Sequence, residues 1–248
     1  MQNIIKLCYF NIKRLQALWV FSLIIYLIIG FSVILLNWNT DNNSILTLLN
    51  SLLSLGIFIG ITTMILLTIK IWYQEWFGQA KMINRWLSAP IRKSDLYWAK
   101  LLTLLYYYLL TISVVYFSIY LVHLAFKGLV STSSEAQMPL YLIFNFHQLF
   151  SSFINESPIN SLIYLLAWFS LVPIAFLAIL LERIYAWYYT LPLVFTLFFI
   201  LFAFTQLISR CLIPNTYHYD LVLPISIIGM GCLTQFISIK FMIKKLHI

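Results

Sequence analysis

Metal binding, acid–base catalysis and nucleotide hydrolysis each need particular side chains at particular spacings, and this sequence supplies few of them. His123, His147, His218 and His247 stand apart from one another, without the H-E-x-x-H spacing that sets two imidazoles and a general base on one helix face. Cys8, Cys211 and Cys232 are too dispersed for a metal knuckle or a disulfide framework and read as small apolar fillers. No two carboxylates fall together inside an apolar run, so acid–base chemistry has no pair to work with. No glycine-rich loop ends in Lys-Ser or Lys-Thr, so nucleotide hydrolysis is not assigned to this chain. Serine and threonine abound in the apolar runs, but without a base partner they read as helix–helix contacts. The expectation is a protein that is not an enzyme and carries no cofactor or metal of its own.

The informative stretch is Trp72 to Lys100, WYQEWFGQAKMINRWLSAPIRKSDLYWAK, a polar interruption holding Lys81, Arg85, Arg92, Lys93 and Lys100. Trp72, Trp76, Ala80, Ile83 and Leu87 recur at helical spacing, while Glu75, Gln79, Lys81, Arg85 and Ser88 lie off that stripe. Pro90 ends the helix, because it has no amide donor and disfavours α geometry at Ala89. Ser94 and Asp95 start another, as a capping hydroxyl and an acid near the positive end of the helix dipole. The stretch therefore predicts an amphipathic helix, a break and a new long helix. Its rings need cover, and two sources are open: the headgroup interface, where Trp is enriched, or a groove on a soluble partner.

The elements that must position this stretch are apolar. Of the 248 residues 62% are hydrophobic, 9% are charged, and mean hydropathy is +0.94. A soluble domain carries about 25% charged residues, so the solvent implied here is a bilayer. Apolar runs of the roughly 20 residues that a spanning helix needs recur along the chain, and the weak alternation of an outer-membrane barrel is absent. The fold class expected is an all-α polytopic membrane protein with six transmembrane helices, at about 17–36, 45–71, 96–126, 161–181, 188–208 and 221–239. Residues 2–14 read as an N-terminal interfacial helix, and no signal-peptide cleavage pattern follows the first run. Gly56 and Gly60 form a small-xxx-small pair suited to close helix approach. Residues 127–160 form the long outer segment, in which 139–155 reads as a surface-lying helix. The whole of 1–248 is expected to be one transmembrane domain.

Charge sets the orientation. With the N-terminus inside, the inner segments hold thirteen Lys and Arg residues, among them Lys6, Lys13, Arg14, Arg85, Arg183 and Lys245; only Lys127 and Arg210 lie outside. Both termini and the Trp72–Lys100 stretch are thus expected on the cytoplasmic face. The net charge of +8 is topological and does not signal nucleic acid. No ionisable residue falls near the middle of an expected span, which counts against an ion-coupled carrier.

On these residues the chain resembles the permease subunits of ABC-2 type transporters. Leu87-Ser88-Ala89-Pro90-Ile91, then Leu96-Tyr97, then Lys100-Leu101-Leu102 follow that family's pattern after the second span. The resemblance covers the whole chain in architecture and about thirty residues in motif. It implies that residues 75–88 are a coupling helix seated in a separate cytoplasmic ATPase subunit, with Glu75, Trp76, Phe77, Gln79, Lys81, Ile83 and Arg85 as contacts. The Glu182-Arg183 turn would be a second contact. It also implies two permease copies, as a homodimer, with two ATPases that hold the ATP and Mg, in the plasma membrane of a bacterium.

The loop before the sixth span is only about twelve residues, whereas polysaccharide- and lipid-exporting relatives place re-entrant helices there. The chain looks more like the small bacterial permeases that export, or give immunity to, amphipathic antimicrobial peptides such as phenol-soluble modulins. A pathway for amphipathic cargo would draw on aromatic rings, and Tyr26, Tyr106, Tyr107, Tyr108, Tyr116 and Tyr120 are the candidate lining. Two other classes remain open: a peptide-immunity or scaffold protein without transport, and an uncoupled secondary transporter or channel. In a cysteine-free background, Ser44→Cys and Ser133→Cys are expected to react with an impermeant maleimide added outside intact cells; protection of both removes this topology.

Overall fold

The computed structural model describes residues 2–38, 45–77, 92–129, 158–185 and 219–245. They form helices α1 (Gln2–Trp38), α2 (Ile45–Phe77), α3 (Lys93–Leu129), α4 (Pro158–Phe169), α5 (Leu171–Tyr185) and α6 (Tyr219–Lys245), and no strand occurs among the described residues. Four stretches are long and apolar enough to cross a membrane: Ile4–Leu35, Ser51–Glu75, Lys93–Ala125 and Leu162–Glu182. A shorter apolar stretch, Pro224–Lys240, lies in α6. The expected span at 188–208, the segment 130–157 and residues 78–91 lie outside the described residues.

Where the helices begin and end differs from the sequence reading in ways that matter. The interfacial segment and first span are one continuous helix of 37 residues, about 55 Å at 1.5 Å per residue. No helix-breaking residue separates them, so the 3.6-residue ladder runs through. Helix α2 likewise continues past Ile71 to Phe77, taking Glu75, Trp76 and Phe77 into the long helix. Helix α3 starts at Lys93 with Asp95 in its first turn, where an acid complements the helix dipole. The fourth expected span, 161–181, is matched by the apolar stretch Leu162–Glu182, with a one-residue turn at Ser170 between α4 and α5. Pro173 explains the turn, since its ring would collide with the Phe169 carbonyl and it has no N–H to offer. The Ser170 amide keeps its helical bond to the Leu166 carbonyl four residues back (2.9 Å) and also reaches Ala167 (3.1 Å).

Helices α1, α2 and α3 pack against one another, and α6 packs on α5, α4 and α3; α2 also touches α5. The core between them includes Leu15, Leu67, Ile71, Trp72, Tyr97, Leu104, Phe176 and Leu180, all at 0–1% exposure. Large apolar side chains also face outward, among them Phe21, Ile28 and Phe31 on α1, Leu109 and Phe117 on α3, and Leu233 and Phe236 on α6. Such a surface suits hydrocarbon.

In hydrocarbon, helices gain little from excluding apolar surface, so close backbone approach and interhelical hydrogen bonds hold them together. Both are present. A Cβ on Gly56 would stand 2.7 Å from Val115 Cγ1, so only glycine lets α2 sit this close to α3. A Cβ on Gly231 would stand 2.6 Å from Ser170 Cβ and 3.0 Å from its carbonyl oxygen, which fits α6 against the α4–α5 turn. Gly60 is looser, with Thr111 Cγ2 at 3.5 Å. Between α1 and α3, Trp19 Nε1 donates to Thr111 Oγ1 (3.1 Å), Tyr107 donates to the Ile12 carbonyl (2.7 Å), and Tyr26 and Ser118 share a hydrogen bond (2.7 Å). Tyr108 donates to the Leu165 carbonyl at 3.0 Å, tying α3 to α4.

The two glycines should respond with opposite sign. Gly231→Ala is expected to destabilise by about 1–3 kcal/mol, because a backbone carbonyl cannot rotate away. Gly60→Ala is expected to be neutral or to stabilise by up to about 1 kcal/mol through helix propensity. Unfolding in mixed micelles reads both, and equal effects would contradict the packing described.

Candidate functional site

The ionisable residues that the sequence scattered across three segments converge at one end of the bundle. Arg14 lies in the fourth turn of α1, Glu75 in the last turns of α2 and Lys100 in the second turn of α3. An antiparallel α2–α3 pair brings the end of one helix beside the start of the next, and α1 lies against both. The Lys100 ammonium sits 2.5 Å from Glu75 Oε2, and Arg14 Nη1 sits 3.8 Å from Glu75 Oε1. Lys100 is 0% exposed and Glu75 is 2% exposed. The Arg14 side chain keeps 15% of its surface open.

Aromatic rings build the wall of this charged cluster. The Lys100 ammonium lies 3.4 Å from the centroid of the Trp72 ring, a cation–π contact strengthened by the absence of water. Phe176 of α5 meets Trp72 edge-on at 5.2 Å and Tyr97 edge-on at 5.4 Å. The Tyr97 hydroxyl faces Ser238 of α6. One residue beyond Trp72, the Tyr73 hydroxyl donates to the carboxylate of Glu182 on α5. Three residues within one turn of α2 thus address three neighbours: Trp72 touches α3 and α5, Tyr73 touches α5, and Glu75 touches α1 and α3. Gln74 stands among them with a buried side-chain carbonyl oxygen.

Energetics give this end its importance. Removing an ammonium and a carboxylate from water costs several kcal/mol per ion even after relaxation, and a close partner with further contacts is what offsets it. Lys100 has one carboxylate and one ring. Glu75 has two cations, so the triad carries an excess positive charge.

The residues expected to contact an ATPase are placed as follows. Glu75 is buried within the bundle, and Glu182 accepts from Tyr73. Trp76 and Phe77 lie on the last turn of α2, and Arg183 lies on the backbone of α5. Gln79, Lys81, Ile83 and Arg85 lie outside the described residues. Of the six tyrosines expected to line a pathway, Tyr26 and Tyr107 are buried at 3% and 2% exposure with their hydroxyls bonded across helices. Tyr108 is partly buried and bonded to α4. Tyr106 and Tyr120 are exposed, and Tyr116 lies at the exposed margin. The six therefore do not share one surface.

Lys100 was counted with the inner-face charges in the sequence reading, and its pairing with Glu75 was missed. A signal was present. Lys100 interrupts an otherwise apolar run, LYWAKLLTLL, and a cation so placed needs an acid. Glu75 lies at the facing end of the preceding helix. Among the described residues, no three His, Cys, Asp or Glu side chains gather closely enough to hold a metal ion. In comparisons with known proteins, no family model, curated protein or solved structure matches this chain.

Glu75→Gln leaves Lys100 buried without a counter-charge. The expected cost is about 3–5 kcal/mol, the range for breaking a buried pair, seen as lost yield or a much lower midpoint of unfolding. Glu75→Gln combined with Lys100→Met should recover most of it, since both charges are then gone; no recovery would show that the pair does not set the cost.

Proposed function

We propose that this chain is the transmembrane permease subunit of an ABC exporter, moving amphipathic or antimicrobial peptides, or lipid-like substrates, out of a bacterial cell. In this reading it crosses the plasma membrane six times with both termini in the cytoplasm. It pairs with a second copy and is driven by two ATPase subunits that bind ATP and Mg. Residues 75–88 form the coupling segment, with Trp76, Phe77, Gln79, Lys81, Ile83 and Arg85 as contacts, and Glu182–Arg183 lies near it.

The observation that carries the reading is the anchoring of the last turn of α2. A segment that receives force from a motor must be joined rigidly to the helices it moves. Trp72, Tyr73 and Glu75 are held by Lys100, Phe176, Glu182 and Arg14 on three different helices, directly before the Trp76–Ser88 stripe and the Leu-Ser-Ala-Pro sequence. The positive-inside bias and the absence of a phosphate loop support the same reading, since the nucleotide site then lies on another chain. ATP-driven approach of the two ATPases would bring the coupling segments together and rock the two bundles from inward to outward access.

The test is co-purification with the ATPase encoded by a neighbouring gene. The wild-type chain is expected to retain it, and Trp76→Ala with Arg85→Glu is expected to lose at least nine-tenths of it while keeping its gel-filtration profile. Equal recovery of the ATPase by the variant and the wild type removes the coupling assignment.

A further inference from the structure

The Arg14–Glu75–Lys100 triad has two cations for one carboxylate, and they hold it unequally. Lys100 is at 2.5 Å on Oε2, and Arg14 is at 3.8 Å on Oε1. Each cation addresses its own oxygen, so a small shift of Glu75 along the line between them shortens one contact as it lengthens the other. The two cations belong to different helices, α3 and α1. The carboxylate belongs to a turn of α2 that is also bonded to α5 through Tyr73 and Glu182. Buried ion pairs are poor sources of net stability, and their best-attested use is to select between discrete arrangements. Packed helices shift between such arrangements rather than deforming continuously.

The geometry points to a charge-exchange latch: Glu75 is clasped by Lys100 in this state and passes to Arg14 when the last turn of α2 moves. In the exchanged state, the Glu75 carboxylate is joined to α1 and released from Lys100, and the end of α2 pivots about Trp72. Lys100 then keeps its cation–π contact with Trp72, so the ammonium is not stranded. Arg14 suits the receiving role. Its guanidinium is planar and more weakly hydrated than an ammonium, and its residual exposure of 15% lets it wait without full desolvation. The inference deepens the coupling reading and rests on it for the source of the push.

The experiment measures the α2–α3 separation by spin-label distances in nanodiscs. Labels go on Ile69→Cys and Leu102→Cys, both exposed at 43% and 42%, with Cys8, Cys211 and Cys232 replaced. The otherwise wild-type chain is expected to give one dominant distance. Neutralising the clasp with Glu75→Gln and Lys100→Met should raise a second, longer population several-fold with little change in the midpoint of unfolding. Arg14→Met removes the alternative partner, so the short distance should persist alone while ATP-driven peptide release from vesicles falls at least tenfold and ATP hydrolysis continues. A merely structural Arg14 would not separate hydrolysis from release. An unchanged distance distribution in the neutral pair, or wild-type release by Arg14→Met, overturns the latch. If the wild-type chain shows no ATP-driven release at all, the exporter reading fails, and the distance distributions of the neutral pair still decide the latch.

Discussion

The contact on which the rest depends is the buried clasp between the Lys100 ammonium and the Glu75 carboxylate. Neither ion tolerates removal from water alone. Their pairing forces the end of α2 to lie against the start of α3, and that fixes which faces of both helices point inward. Trp72 and Tyr97 follow, because each sits within one turn of a clasp residue. Phe176 then fills the space between their rings and brings α5 into the core. A chain of consequences runs from one ion pair to three helices without any step that needs an exposed salt bridge.

Elsewhere the bundle is held by fit rather than charge. Gly56 and Gly231 bring backbones close enough for dispersion to add up, and tyrosine hydroxyls reach across to carbonyls and hydroxyls of neighbouring helices. In hydrocarbon each such bond contributes modestly, averaging about 0.6 kcal/mol in measured helical bundles. Several of them spaced along α3 set a register that greasy surfaces would leave free to slide. The two systems divide the labour. Charge locks one end of the helices, and hydroxyls with glycines align their length.

Apolar run length made the long helices readable from sequence, and the start of α3 at Lys93 was legible from Ser94 and Asp95 beside Pro90. Residues 2–14 were readable as a helix running into the first span, and the two are one helix, Gln2–Trp38. Amphipathicity changes along α1, but nothing interrupts its backbone. Glu75 was read as the opening of a separate amphipathic helix because hydropathy falls at Lys70. Helical backbone does not stop where hydropathy falls; it stops where a residue breaks the ladder, and none does before Phe77. Pro173 was visible in the expected fourth span, yet the one-residue turn at Ser170 before it was not foreseen. At that turn Gly231 of α6 fits against Ser170, a contact between residues about sixty apart in sequence. The surroundings of the tyrosines were equally beyond the sequence. Type and spacing grouped six of them, but burial of Tyr26 and Tyr107 was decided by partners on other helices.

The buried charges of the described residues gather at one end of the helices that carry them. An ion-coupled carrier needs a group near the membrane midplane that can exchange its ion with water. Arg14, Glu75 and Lys100 instead gather at the end of α2 and the beginning of α3. Glu75 and Lys100 are occupied with each other, and Lys100 is also held against a Trp ring. The Glu75 carboxylate stands between two protein cations carried by different helices. It has a reason to resist displacement in every direction but one, toward the second cation. In the latch proposed above, that placement ties α2 to one neighbour and then to another. It puts the interest of this chain at the junction after Trp72, where a long apolar helix passes into the polar stretch that stands out in the sequence.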